Sequence, residues 1–385
     1  MKYEVVPNGN GKDNIEIIPL FLPNIPKNAI KYVSEVLSTR WIGQGPKVEL
    51  FESAFKKYFL GDFSPLSVGS GTDALHLSYL LAGIKAGDEV AVPVFTCTAT
   101  NIPLLYIGAK PVFIDVDPDT LNIDVRDLRK KVNKNTKAIV VVHYGGLPCD
   151  MDEISEIAKS FEIPVIEDAA HALGATYNGK QIGQISDFTI YSFQAIKHIT
   201  TGDGGMISIK DRSTLEKGKR MRWFGIDRSA KELGIWENDI VEIGYKYQMT
   251  DISAALGLAA LEDFNETIKL RRLLLAQYVR NLSSLKNIKL IGTPNSISEH
   301  AAWLVTVLAK NRVGLQKHLL KAGIESGQVH YRNDKYSIFG KKTSLLPNMD
   351  SIEDQYLVLP LHTKMNINDI NRITSEIDKF YASNG

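Results

Sequence analysis

From about residue 66 the chain alternates short apolar runs with stretches of helical spacing. The runs are "EVAVPV" (89–94), "KPVFIDV" (110–116), "KAIVVVHY" (137–144), "IPVIEDA" (163–169), "DFTIYSF" (187–193) and "GGMISI" (204–209). Most are rich in Val and Ile and apolar on both faces, as in strands of a mainly parallel sheet buried between helices. Between them, "TDALHLSYLLAG", "TATNIPLLYIGA" and "DMDEISEIAKSF" carry the helical period. An α/β layer architecture follows. Near residue 250 the pattern changes. Residues 250–285 read as one long helix opening on an N-cap Thr250 or Asp251. A strand over 300–309 and helices near 313–323 and 367–382 predict a smaller α+β lobe, joined by residues before 60.

A chain of 385 residues is too long for one small core, which agrees with two lobes. Its 44% hydrophobic and 23% charged residues are ordinary for a globular protein. A formal net charge of +1 gives no reason to expect nucleic acid or an anionic membrane as partner. Cys97 and Cys149 are the two cysteines and form no CxxC, so neither a disulfide framework nor a zinc site is suggested. The N-terminus has no signal-peptide pattern, and no run of about 18 apolar residues occurs. A cytoplasmic protein is expected.

The stretch "YSFQAIKHITTGDGG" (191–205) sets Lys197 between a strand and a glycine cluster. A lysine amine becomes a nucleophile when desolvated or set beside another cation. Asp168, in "EDAAHALGA" (167–175), ends an apolar strand, where α/β sheets face their ligand crevice. It reads either as a helix N-cap or as a buried carboxylate that needs a cation. His171 lies three residues on and, taken alone, reads as a packing or surface histidine. "SVGSGTDALHL" (67–77) is a glycine turn opening a helix, a structural turn or a seat for phosphate. Pyridoxal phosphate (PLP) needs a lysine, an acid for its ring nitrogen and a phosphate seat, and these three segments could supply them.

"SGTDALHL", "EDAAHALGA", "YSFQAIKHITTGDGG" and "GYKYQMTDISAALG" resemble, in order, motifs of the DegT/DnrJ family of nucleotide-sugar aminotransferases. "RWIGQGPKVELFE" (40–52) and "PVFIDVDPDTLNID" (111–124) resemble it too. The likeness is strong over residues 20 to 260 and loose over the last hundred. It implies the PLP-dependent transferase fold of type I. That is a large PLP-binding domain, residues 1–258, with a mainly parallel mixed sheet between helices, and a smaller α+β domain, residues 259–385. It also implies a homodimer with shared active sites. The expected reaction moves an amino group from an amino acid, L-glutamate by expectation, through PLP and its amine form (PMP). The acceptor is a keto group of a nucleotide-linked deoxysugar, in amino-sugar biosynthesis for a surface polysaccharide or glycosylated metabolite. By position, Lys197 is the lysine that carries the cofactor and shuttles the proton, and Asp168 is the acid at the ring nitrogen. His171 matches the residue at the ring hydroxyl, and Ser192, Gly71 and Thr72 match the phosphate cradle.

Two positions depart from the family pattern. Cys97 stands where many members have an aromatic residue stacked on the cofactor ring. Lys246 stands where they often have Asn, reaching the phosphate from the other subunit; it could serve there as a point charge or point to solvent. Trp41, Arg222, Trp223, His330, Tyr331 and Arg332 are candidate substrate residues by charge and stacking, although Trp223 could equally pack a seam between lobes. A sugar dehydratase of the same fold and a non-enzymatic regulator are the alternative functions.

Overall fold

The computed structural model describes residues 5–7, 14–228, 234–235, 237, 239–293, 296–341 and 345–384. Its centre is a seven-stranded sheet: Ser64–Val68 (β1), Glu89–Pro93 (β2), Lys110–Ile114 (β3), Thr136–Val142 (β4), Val165–Asp168 (β5), Phe188–Ser192 (β6) and Gly205–Ile209 (β7). The spatial order is β1-β7-β6-β5-β4-β2-β3. Only β7 runs antiparallel to its neighbours. Six of these strands are the predicted apolar runs, and buried hydrophobic clusters cover both faces. The pattern did not reveal β1, where Ser64, Pro65 and Ser67 interrupt the apolar residues. It is an edge strand, where a proline costs no ladder bond.

This topology brings the carboxyl ends of β1, β2, β5 and β6 to one rim, together with the start of β7. Register makes the rim compact: Val68 pairs with Gly205, Gly205 with Ser192, and Ile190 with Asp168.

Two expectations are corrected. The long helix is two, Asp251–Glu262 and Phe264–Leu282, because Asp263 (φ −93°, ψ 0°) ends one and begins the other. Thr250 is the cap, accepting from the Ser253 N–H. The strand expected over 300–309 spans only Val305–Ala309. Residues before it bond elsewhere: the Ala301 N–H donates to the Gly146 carbonyl, and the Trp303 and Leu304 N–H groups donate to that of Gly145. Residues 258 and 259 lie within the helix Asp251–Glu262. Packing changes over along the helix that follows. Phe264 and Ile268 join one core of the large sheet, whereas Leu274, Leu275 and Tyr278 join a separate core. That separate core takes Ile18 from the N-terminal segment, while Val48, Phe51 and Phe55 pack on the sheet side.

Candidate active site

A cavity of about 330 Å³ opens at the rim, lined among others by Gly71, Thr72, Cys97, Asp168, His171, Ser192, Lys197, Trp303 and His330. The helix Gly71–Leu81 starts there. Its Ser70 cap takes the Asp73 N–H on its side chain and the Ala74 N–H on its carbonyl. Among the described residues, the N–H groups of Gly71 and Thr72 remain as the unused donors of the first turn. Gly71 is constrained by space: a Cβ there would lie 2.9 Å from the Ser192 Cβ.

Asp168 is 4% exposed. Its Oδ2 accepts from the Thr100 hydroxyl at 2.8 Å and its Oδ1 from the Ala170 N–H at 3.0 Å. Burial raises its pKa, opposed by those two bonds and by the charges of Lys197 and His143. No helix follows it, so it caps none. Glu167, one residue back, points to the other face of the sheet. There it accepts from His143 Nε2 (2.8 Å), the Ser186 N–H (3.1 Å) and the Thr189 hydroxyl (3.0 Å).

Lys197 follows β6 on a turn closed by its own N–H to the Gln194 carbonyl. Its Nζ lies 3.8 Å from the centre of the Trp303 ring. Burial pushes the amine down to about 8, against the opposing charges of Asp168 and Cys97. In an unfolded chain the amine titrates near 10.5, so between pH 8 and 10.5 the unfolded chain holds more protons than the native one. The cofactor-free protein is therefore expected to gain stability with pH across that window, and Lys197→Met to lose this gain. Denaturant titrations of both proteins at pH 7.5 to 10.5 measure the difference; a difference independent of pH contradicts a depressed amine.

The family profile of the DegT/DnrJ/EryC1/StrS aminotransferases matches residues 23–378. The chain belongs to this aminotransferase family. It is 34% identical to GDP-perosamine synthase of Escherichia coli O157:H7, over 96% of this chain and 100% of that one. It is 33% identical to UDP-4-amino-4-deoxy-L-arabinose–oxoglutarate aminotransferase of Shewanella sediminis, over 96% and 99%. Among solved structures, Spr1654 of Streptococcus pneumoniae in its PLP form superposes with a TM-score of 0.87 and 29% identity, over 95% of this chain and 99% of that one. A PMP form of the same protein superposes equally well, at 0.87.

Of the residues singled out in the sequence, Gly71, Thr72, Cys97, Asp168, His171, Ser192, Lys197 and His330 converge on the one cavity. His171 stacks on Trp303 at 3.7 Å and on His330 at 5.1 Å. Burial, with the Lys197 charge next, holds its pKa well below the usual histidine value, and its buried Nδ1 has no hydrogen-bond partner among the described residues.

The other candidates lie elsewhere. Arg222 and Trp223 line a second cavity of about 300 Å³ with Gly45 and Glu49. There Arg222 is buried against Glu52 and the Ser67 carbonyl, at 2.8 Å each. Lys246 lies with its Nζ 3.8 Å from the centre of the Trp223 ring, and does not line the Lys197 cavity. Trp41 is exposed beside Arg40, and Tyr331 is exposed on a short strand paired with Phe95–Thr96. Arg332 is not turned to the cavity: it is 2% exposed and its guanidinium is held by Asp334, Asp350 and Glu353.

Two residues of the site escaped the sequence reading. Thr100, one helical turn past Cys97 in "TCTAT", could have been found by that spacing. Trp303 could not, since nothing near it in the chain points to Lys197.

Proposed function

We propose that this chain moves an amino group from L-glutamate to a keto group of a nucleotide-linked deoxysugar, with PLP cycling through PMP. The supporting observation is a desolvated lysine amine sharing one cavity with a buried aspartate and the open start of a helix. The residues fit the cofactor. The space against Ser192 admits no side chain at position 71, and His171 Nδ1 is a buried polar atom without a partner. Gly71 and Thr72 N–H groups with the Ser192 hydroxyl would hold the phosphate, where the helix dipole favours an anion. Asp168 would hold the ring nitrogen protonated, and His171 would meet the ring hydroxyl. PLP, when bound, supplies an electron sink and carries the amino group between substrates. Lys197 Nζ takes the proton from the donor carbon and delivers it again. Cys97 leaves the aromatic side of the site to Trp303, His171 and His330.

We further propose a cytoplasmic homodimer in which Lys246 serves the phosphate of the neighbouring subunit. We divide the chain into a cofactor lobe and a small lobe, with helix Phe264–Leu282 as the joint. Mixing inactive Lys197→Ala and Lys246→Glu proteins should then restore activity, because a hybrid dimer contains one intact site. Confirmed subunit exchange without recovery argues against sharing. The reaction itself is tested by incubating the protein and glutamate with a panel of keto-sugar nucleotides and reading products by mass. Gain of an amino group on one of them supports transfer, and loss of water alone points to a dehydratase.

A further inference from the structure

The Lys197 amine makes no side-chain hydrogen bond among the described residues. A buried cation with no such bond is costly unless something else compensates it. Its direct contact is the face of Trp303, 3.8 Å from the ring centre, where the ring quadrupole attracts a cation. Trp303 is itself rigidly placed. It is 2% exposed, its Nε1–H donates to the Ile196 carbonyl at 3.2 Å, and its backbone N–H donates to the Gly145 carbonyl at 2.9 Å. Phe21 from the N-terminal segment stacks on it at 5.8 Å, and His171 at 3.7 Å. Burial keeps His171 neutral, so Lys197 is the cation on that ring. The indole also hydrogen-bonds the residue next to the lysine, so one side chain grips both the turn and the amine it presents.

We infer that Trp303 is a positioning residue: its ring face holds the Lys197 ammonium in the cavity whenever the amine is protonated and not covalently engaged. A free lysine stem has four carbons and many rotamers, and its freedom opposes proton transfer at a fixed point. Once Lys197 has taken up the proton, the indole face holds the resulting ammonium at one place, from which the proton is delivered again. This inference rests on reading Lys197 as the proton carrier.

Two measurements test it. In the cofactor-free protein, tryptophan emission should titrate with a midpoint near 8 as the ammonium on Trp303 loses its proton. The charged and titratable groups around that amine are Asp168, Cys97 and Arg271, with the imidazoles of His171, His198 and His330. The titration should vanish in Lys197→Met and in Trp303→Phe, while any signal from Lys246 on Trp223 stays common to all three proteins. Its persistence in either variant, or its absence from the unaltered protein, overturns the contact. With cofactor and α-deuterated glutamate, Trp303→Leu should slow the donor half-reaction about tenfold. The isotope effect should grow, donor affinity should stay unchanged, and Trp303→Phe should recover most of the rate. An unchanged rate and isotope effect in folded Trp303→Leu, or in Trp303→Phe no recovery over Leu, overturns the positioning role. Borohydride trapping of PLP on the unaltered protein checks the Lys197 reading separately, and its failure would leave the emission result standing.

Discussion

Lys197→Ala is expected to lose the borohydride-reducible link to PLP and to slow amino transfer by about ten-thousandfold, the upper range for removing a general acid–base. Neither His198 nor Lys246 can stand in. His198 is buried with its Nε2–H donated to the Ala301 carbonyl at 2.7 Å, and burial holds its pKa well below the usual value. Lys246 lies over Trp223, outside the cavity. The fold should survive, because the change removes an amine whose burial already costs free energy below pH 8. The checks are peptide mass mapping after reduction and single-turnover kinetics with glutamate. A reducible adduct on another lysine of the variant, with turnover preserved, would remove Lys197 from its role.

Asp168→Asn is expected to slow turnover by about a thousandfold while sparing the fold and much of the cofactor affinity. A capping aspartate would tolerate this change, since Asn caps about as well as Asp, but no helix begins after Asp168. Asn can keep the bond from the Ala170 N–H, and the Thr96–Thr100 hydroxyl pair, 2.8 Å apart, can reverse to receive the new amide donor. What Asn cannot replace is the negative charge. That charge also supports the ammonium of Lys197, so the variant's amine should titrate lower still. The donor half-reaction, followed by loss of the lysine-linked absorption, measures the rate. A near-normal rate would take Asp168 out of the catalytic set.

How far the site was legible in the chain follows from what each signal reports. Six strands were read because Val- and Ile-rich runs buried on both faces leave a local mark. β1 left none, because an edge strand tolerates Pro65 and two serines. The break at Asp263 was hidden because the apolar pattern continues across it into the next buried helix. Asp168 stood out at the end of a strand, the 70–72 turn at the start of a helix and Lys197 beside its glycine cluster, whereas Ser192 was found only through the family resemblance.

By itself the sequence determined the layer architecture, the family and the residues that end the strands at one rim, since these depend on local burial patterns and short ordered motifs. The tertiary structure alone decided which polar and aromatic groups complete the cavity. Arg332 has the residue type for an anionic substrate, yet Asp334 beside it and Asp350 and Glu353 on the segment that folds back against it neutralise it. Trp303 lies in an apolar run that reads as strand, yet N–H groups of that run donate to the Gly145 and Gly146 carbonyls and hold it in a loop against Lys197. The physical reason is that periodicity records whether a residue is buried, whereas a site depends on which distant residue it is buried against.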